Sequence, residues 1–305
     1  MSILKTLVFR IKLSQISSVQ IARFSFAFYF KIGGRYSIIK RMKLFVFDVD
    51  ATLIDENFIL KDSTIEAINE RLKMGDVVAI ASGRPFLGIT QYLDRFCEGK
   101  KYVIASNGAA TYDIKGNVLD IEPVYYKDFV ELQNKYGYLI DKVDASLACY
   151  TLSEVGYFRL TPNVELESTC NGVVPLRDFN VFPMKDDEPL LKMMIAAHAK
   201  DLENVDFSEM DAKYNHVDSS EFYHEFVNKN TDKSRGVEVL RKLLNLDKED
   251  CYTFGDEMND YKMIKKFNGI AMGNAIEKVK KVAHFVTLDI KHDGVGYAIK
   301  TYCAK

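Results

Sequence analysis

The chain has 305 residues, 48% hydrophobic and 28% charged, a balance that excludes wholesale disorder and gives ample core for one large domain or two. Its 41 Lys and Arg against 43 Asp and Glu look nearly neutral, yet residues 1–41 hold eight basic residues and no acid. The remaining body, residues 42–305, therefore carries 33 basic against 43 acidic side chains, which excludes a broad nucleic-acid-binding surface.

Residues 1–41 are a basic extension containing six serines. Three readings fit that composition: an organellar transit peptide, a basic arm resting on an anionic membrane surface, or upstream sequence translated from a start codon placed before Met42. Its patterning is divided. Phe24, Phe26, Phe28 and Phe30 alternate with a strand's period, whereas Ile16, Val19 and Ala22 step as on a helix. No run reaches the roughly 18 apolar residues that a membrane-spanning helix needs. The five cysteines (Cys97, Cys149, Cys170, Cys251, Cys303) form no CxxC pair, which fits buried free thiols in a reducing cytosol. The expected setting is the cytoplasm, or an organelle if the extension is a transit peptide.

From Met42 onward, short apolar runs alternate with helical stretches, which predicts parallel strands joined by crossover helices. Leu44–Phe47 is apolar on both faces, as a central parallel strand must be. Ser63–Glu66 has capping-box spacing and opens a helix carrying Ile65, Ile68 and Leu72, which stops near Gly75. Strands follow at Val77–Ala81 and Tyr102–Ala105, each running into a small polar loop. Residues 125–225 read differently: a helix at Tyr126–Tyr136, strand-like runs at Gly156–Leu160 and Leu190–Ala197, and four of the six prolines. This predicts an inserted α+β module. The alternation then resumes, with Asp232 or Thr231 capping a helix and strands at Cys251–Phe254, Ile270–Met272 and Phe285–Thr287. The fold class is α/β: a doubly wound, mostly parallel, Rossmann-like sheet in two parts (42–124 and 226–305) around an inserted cap (125–225).

Four polar clusters sit at strand ends or a helix start: Asp48-Val49-Asp50-Ala51-Thr52, Ser82-Gly83-Arg84, Lys233, and Gly255-Asp256-Glu257-Met258-Asn259-Asp260. Each alone is ordinary, since a DxD pair is usually a solvated loop and a lone lysine means nothing. Together, at the carboxyl ends where open α/β sheets bind ligands, they point to one site. In these motifs the chain resembles a haloacid dehalogenase (HAD) superfamily phosphatase of the Cof-type subgroup, which carries a large α/β cap. The likeness covers roughly residues 42–305. It extends to Ser106-Asn107-Gly108-Ala109, Met272-Gly273-Asn274-Ala275 and Asp293-Gly294-Val295, and to Lys233 standing three residues before Gly236. One position departs: Ala51 stands where the family usually has glycine.

The resemblance implies a Mg2+-dependent hydrolysis of small phosphate monoesters, sugar phosphates first, through an aspartyl-phosphate. Asp48 is then the nucleophile, and Asp50 the acid that protonates the leaving alcohol and the base that activates water. Mg2+ is held by Asp48, the backbone carbonyl of Asp50, and Asp256. Ser82, Gly83, Lys233, Asn107 and Asn259 bind the phosphoryl group. Asp260 orients Lys233 or a metal-bound water, Glu257 stands beside the metal, and Thr52 braces the first loop. The expected partner is a small phosphorylated metabolite.

Two rivals stand beside this reading. A sugar-phosphate mutase of phosphomannomutase type shares the architecture but needs several cap arginines, and only Arg159 and Arg177 lie between 125 and 225. A non-catalytic metabolite-binding protein has no need of Asp48, Asp50, Lys233 and Asp256 together. Lys229 is a competitor for Lys233 with the wrong spacing to Gly236. The five histidines show no ligating spacing. Arg84 pairs either with the site or with a structural acid.

Overall fold

A computed structural model describes residues 22–24, 27–32, 35–39, 41–220 and 222–303. The chain divides into two compact units, Met1–Met42 and Lys43–Lys305. In the first, strands Ala22–Phe24, Ala27–Ile32 and Arg35–Ile39 pair antiparallel, which agrees with the strand period of the phenylalanines. The helical step at Ile16 and Val19 lies outside the described residues, as does most of the span on which the transit-peptide and membrane-arm readings rest.

The second unit is built on an eight-stranded sheet. Its order is Phe285–Val286, Asn268–Ala271, Cys251–Gly255, Leu44–Phe47, Val77–Ala81, Lys100–Ala105, Ala110–Asp113 and Val118–Ile121. The first six strands run parallel, and each of the last two pairs antiparallel with the strand before it. Leu44–Phe47 and Val77–Ala81 are wholly buried, as strands covered by helices on both faces require. The rings of Phe45 and Phe47 pack on Tyr252 and Phe254 of the neighbouring strand, with centroids 5.2 and 4.8 Å apart. Chain order reverses between Leu44–Phe47 and Cys251–Gly255, so the crevice for a ligand opens at the carboxyl ends of those two strands.

The first crossover helix, Asp62–Lys73, begins ahead of the expected capping box. Lys61 occupies the N-cap without a side-chain capping bond, so Ser63, the expected cap, lies inside the first turn. The neighbouring Thr64 hydroxyl donates to Asp293. Asp232 does cap helix Lys233–Leu243, accepting from the Arg235 N–H at 3.2 Å.

Between the two halves lies a second sheet of six strands, ordered Leu176–Asp178, Val155–Tyr157, Ser146–Tyr150, Lys192–Ala196, Tyr223–Asn228 and Tyr214–Ser220. One face packs Leu147, Met193, Ile195 and Phe226 against Phe129 and Leu132 of helix Tyr126–Tyr136. The apolar run 190–197 is split: Pro189–Leu190 pairs with Val124–Tyr125, and Lys192–Ala196 joins the six-stranded sheet. The last inserted strand runs to Asn228, past the expected boundary at 225. All five cysteines are free, but only Cys149, Cys251 and Cys303 are buried; Cys97 is half-buried and Cys170 exposed. Among the described residues, no helix is long and apolar enough to cross a membrane.

Candidate active site

Leu44–Phe47 is apolar because both its faces are covered, so Asp48 is the first polar residue to emerge at the sheet's end, and it is only 6% exposed. The neighbouring strand ends on Gly255 and delivers Asp256. The chain then turns at Met258–Asp260 and folds Asp260 back, so that its carboxylate accepts from the N–H groups of Asp256 and Glu257 at 2.9 and 3.2 Å. Gly255 makes this return possible, since a Cβ there would sit 2.4 Å from the Asp260 carboxyl carbon. Oxygens of Asp48, Asp256 and Asp260 thereby gather within 4.8 Å of one another. Lys233, the first residue of its helix and fully buried, donates from Nζ to Asp48 at 2.5 Å and to Asp260 at 2.6 Å.

Three carboxyl groups thus face one ammonium. Burial, then Asp260, raises the Asp48 carboxyl well above its ordinary range despite Lys233. Burial, then Asp260, pushes Asp256 up to about 7, with the Thr52 hydroxyl working against the shift through its 2.8 Å bond to Oδ1. Burial pulls Lys233 down, but Asp260 and Asp48 more than reverse this, so it stays charged. The cluster therefore has more carboxyl groups than Lys233 alone can keep ionised. A hard divalent cation with oxygen ligands fits that deficit. Asp260 is already engaged by Lys233 and two N–H groups, which leaves Asp48 and Asp256 as the carboxylates able to face a metal.

Ala51 keeps the conformation that glycine would favour, with φ +57°. Its N–H donates to the Ile54 carbonyl at 2.9 Å, and its own carbonyl accepts from Asn274 Nδ2 at 2.9 Å. The left-handed region costs an alanine about 1–2 kcal/mol, while glycine gives back about 0.4–1 kcal/mol through the unfolded chain. Ala51→Gly is expected to stabilise the protein by about 0.5 kcal/mol, read as a shift in urea midpoint at constant slope.

Above Asp48 lies a cavity of about 620 Å³ lined from the large sheet by Asp48, Asp50, Ser82, Gly83, Glu257 and Asn259. Asp50 is exposed, and its carboxylate accepts from Arg84 at 2.7 and 3.1 Å. Asn107 Nδ2 donates to Glu225 at 3.0 Å, and its oxygen accepts from Asn259 at 3.3 Å. The Ser82 hydroxyl accepts from the Arg84 N–H at 3.2 Å. Lys233, Asp256, Asp260 and Thr52 are buried and do not line the cavity themselves; Lys233 reaches the lining through Asp48. Lys229 donates to the Ala212 carbonyl at the surface. His216 and His224 meet at 3.3 Å across paired strands, but neither lines the cavity.

Residues 45–299 match the family of haloacid dehalogenase-like hydrolases. The chain belongs to that family. It is similar to phosphatase YwpJ of Bacillus subtilis, at 25% identity over 85% of this chain and 99% of that protein. It is also similar to the HMP-PP phosphatase of Yersinia enterocolitica, at 26% identity over 78% of this chain and 86% of that one. A haloacid dehalogenase-like hydrolase from Bacteroides thetaiotaomicron has the same fold, with a TM-score of 0.73 at 28% identity over 85% of this chain and 99% of its own. The chain is a HAD-type phosphatase with the doubly wound fold expected of it.

Several cavity residues had no motif to announce them. Tyr150, Glu167, Asn171, Lys192, Tyr223 and Glu225 all come from the inserted region. One signal was available: Glu225 interrupts the apolar stretch ending Phe226-Val227, and Lys192 opens one running Met193-Met194-Ile195. A charge inside a buried strand is costly and marks a site.

Proposed function

We propose that this phosphatase hydrolyses small phosphate monoesters, sugar phosphates first, with Mg2+ and through an aspartyl-phosphate on Asp48. One observation carries the reading: Asp48 alone belongs both to the buried carboxylate cluster and to the cavity lining. Residues 42–124 and 229–305 act as the catalytic core, and 125–228 as a cap that keeps bulk water from the reacting group.

Asp48 attacks phosphorus, and the bond to the alcohol oxygen breaks. Asp50 leaves Arg84, takes up a proton from solvent and gives it to that oxygen, with the substrate replacing Arg84 as its partner. Asp50 then takes a proton from the water that attacks the aspartyl-phosphate, which releases inorganic phosphate and restores Asp48. The Ser82 hydroxyl, the Gly83 N–H and Asn259 supply donors to the phosphoryl oxygens, with Asn107 holding Asn259. Lys233 fixes Asp48 and is itself fixed by Asp260. Asp48, Asp256 and the Asp50 carbonyl are the groups that would hold Mg2+. When bound, the ion supplies positive charge against the anionic ester. Glu257, exposed in the lining, stands beside this set.

Hydrolysis is favoured over phosphoryl shuttling because the cap arginines are engaged elsewhere. Arg159 pairs with Asp141 at 2.5 Å and Arg177 with Glu154 at 3.1 Å, and neither lines the cavity. Inorganic phosphate release should require Mg2+ and stop with EDTA; isomerised product without phosphate would overturn the reading. Mg2+ affinity should also rise with pH. Asp256 is raised to about 7, so its metal-binding form grows about tenfold between pH 6 and pH 8. Isothermal titration at the two pH values measures this, and a pH-independent affinity would remove Asp256 from the ligand set.

A further inference from the structure

The segment after Ser82-Gly83 and one loop of the inserted region line two cavities in turn. Arg84 and Asn171 line the reaction cavity; Pro85–Leu87 and Val174 line a second one, of about 190 Å³. Its walls come from both parts of the chain: Phe86, Leu87 and Tyr112 from the large-sheet half, and Leu152, Glu154 and Val174 from the inserted region. Those parts pack closely beside it, since a Cβ on Gly88 would sit 2.9 Å from the Asn171 side-chain oxygen.

The inserted wall has settled its turn and its charge. Leu152 stands in the turn between Ser146–Tyr150 and Val155–Tyr157, where the Thr151 N–H donates to the Glu154 carbonyl at 2.9 Å. The Thr151 hydroxyl accepts from the Ser153 and Glu154 N–H groups at 3.2 and 2.9 Å, and the Glu154 carboxylate pairs with Arg177. Tyr112, on the opposite wall, is different. It is 2% exposed, its ring centroid lies 4.9 Å from that of Phe86, and its hydroxyl has no hydrogen-bond partner among the described residues. A buried hydroxyl left unpaired is unfavourable and calls for a partner. Apolar surface is left over as well: Leu87 and Leu152 stay 40% and 38% exposed.

We infer that this cavity is an effector site for an uncharged single-ring compound whose one oxygen meets the Tyr112 hydroxyl, and that the bound compound holds the inserted region against the large sheet. Size sets the ring count: an apolar cavity of about 150 Å³ holds benzene, so this one admits a ring with a small substituent. Charge is excluded because no lining residue is basic and Glu154 already has Arg177. A compound touching both walls binds only their closed arrangement, and so shifts the protein towards it. The consequence for turnover rests on the reading of residues 125–228 as a cap. Substrate then enters between the same two parts, and holding them together tightens its binding and slows release. KM therefore falls, with kcat lowered or unchanged, whereas a compound lodged in the reaction cavity would raise KM.

The test titrates the full chain with benzyl alcohol, toluene and benzoate, and follows amide shifts in 1H–15N spectra. Benzyl alcohol should bind with a dissociation constant on the order of 1 mM, as a ligand of this size allows, and shift residues 85–87, 112 and 151–154. Benzoate should bind about tenfold more weakly or worse, because its charge meets no cation. Tyr112→Phe keeps the ring and leaves basal turnover unchanged, but should cut the ratio of benzyl alcohol to toluene affinity about fivefold or more. With p-nitrophenyl phosphate and Mg2+, saturating benzyl alcohol should lower KM about twofold or more in the natural chain. Absence of shifts at the lining residues, or an affinity ratio unmoved in Tyr112→Phe, overturns the site. A raised or unchanged KM overturns its coupling to turnover. No hydrolysis of p-nitrophenyl phosphate by the ligand-free protein would instead bring down the phosphatase reading, and the spectra would still decide the site.

Discussion

Asp48→Asn is expected to lower kcat about 10⁴-fold or more while leaving the metal-free fold as stable as before, or more so. The loss follows from removing the nucleophile, since an amide oxygen does not form the acyl-phosphate, and removing one member of a covalent machinery typically costs that much. The stability claim comes from the electrostatics. Burial and Asp260 already disfavour an ionised Asp48, and Lys233 keeps Asp260 at 2.6 Å if Asp48 is neutralised. An isosteric amide removes a repulsive charge without opening a cavity. Phosphate release and a thermal melt in EDTA test both halves. Full turnover, with contaminating phosphatase excluded, refutes Asp48 as nucleophile; a large fall in melting temperature makes its role structural.

How much of this was legible in the sequence depended on the distance over which a residue's role is decided. Asp48 and Asp256 could be read because a buried parallel strand must be apolar until it ends, so Phe47-Asp48 and Gly255-Asp256 mark the ends by themselves. Asp232 could be read as a cap because capping is local. Ser63 has the same local spacing, yet the helix starts one residue ahead of it, at Asp62, and the adjacent Thr64 is held by Asp293 from the far end of the chain. The sequence leaves Arg84 between two roles for the same reason, and the structure gives it to Asp50 through a two-bond contact that no spacing encodes. The cavity lining from the inserted region was least legible of all. Lys192, Glu225 and Tyr150 meet only after three strands align in register, and a lone charge in an apolar run says that it has a partner without saying which. His216 and His224 came together by the same route.

Lys233→Met separates the two jobs done by the cluster's cation. The side chain is fully buried and bonded to both Asp48 and Asp260, so a methionine of similar length preserves packing and removes only the charge. Asp48 and Asp260 would then face each other unpaired in a dry site, and breaking a buried pair from one side costs about 3–5 kcal/mol. Urea denaturation should show that loss, and kcat/KM should fall about 10³-fold, the usual cost of removing a fixed charge beside a reacting oxyanion. Adding Asp260→Asn should restore much of the stability, because the amide oxygen can still accept from the Asp256 and Glu257 N–H groups. It should restore none of the activity, because the positive charge beside Asp48 is still missing. The second substitution thus recovers folding without recovering turnover. Equal recovery of both would mean that Lys233 acts only as a structural counter-ion.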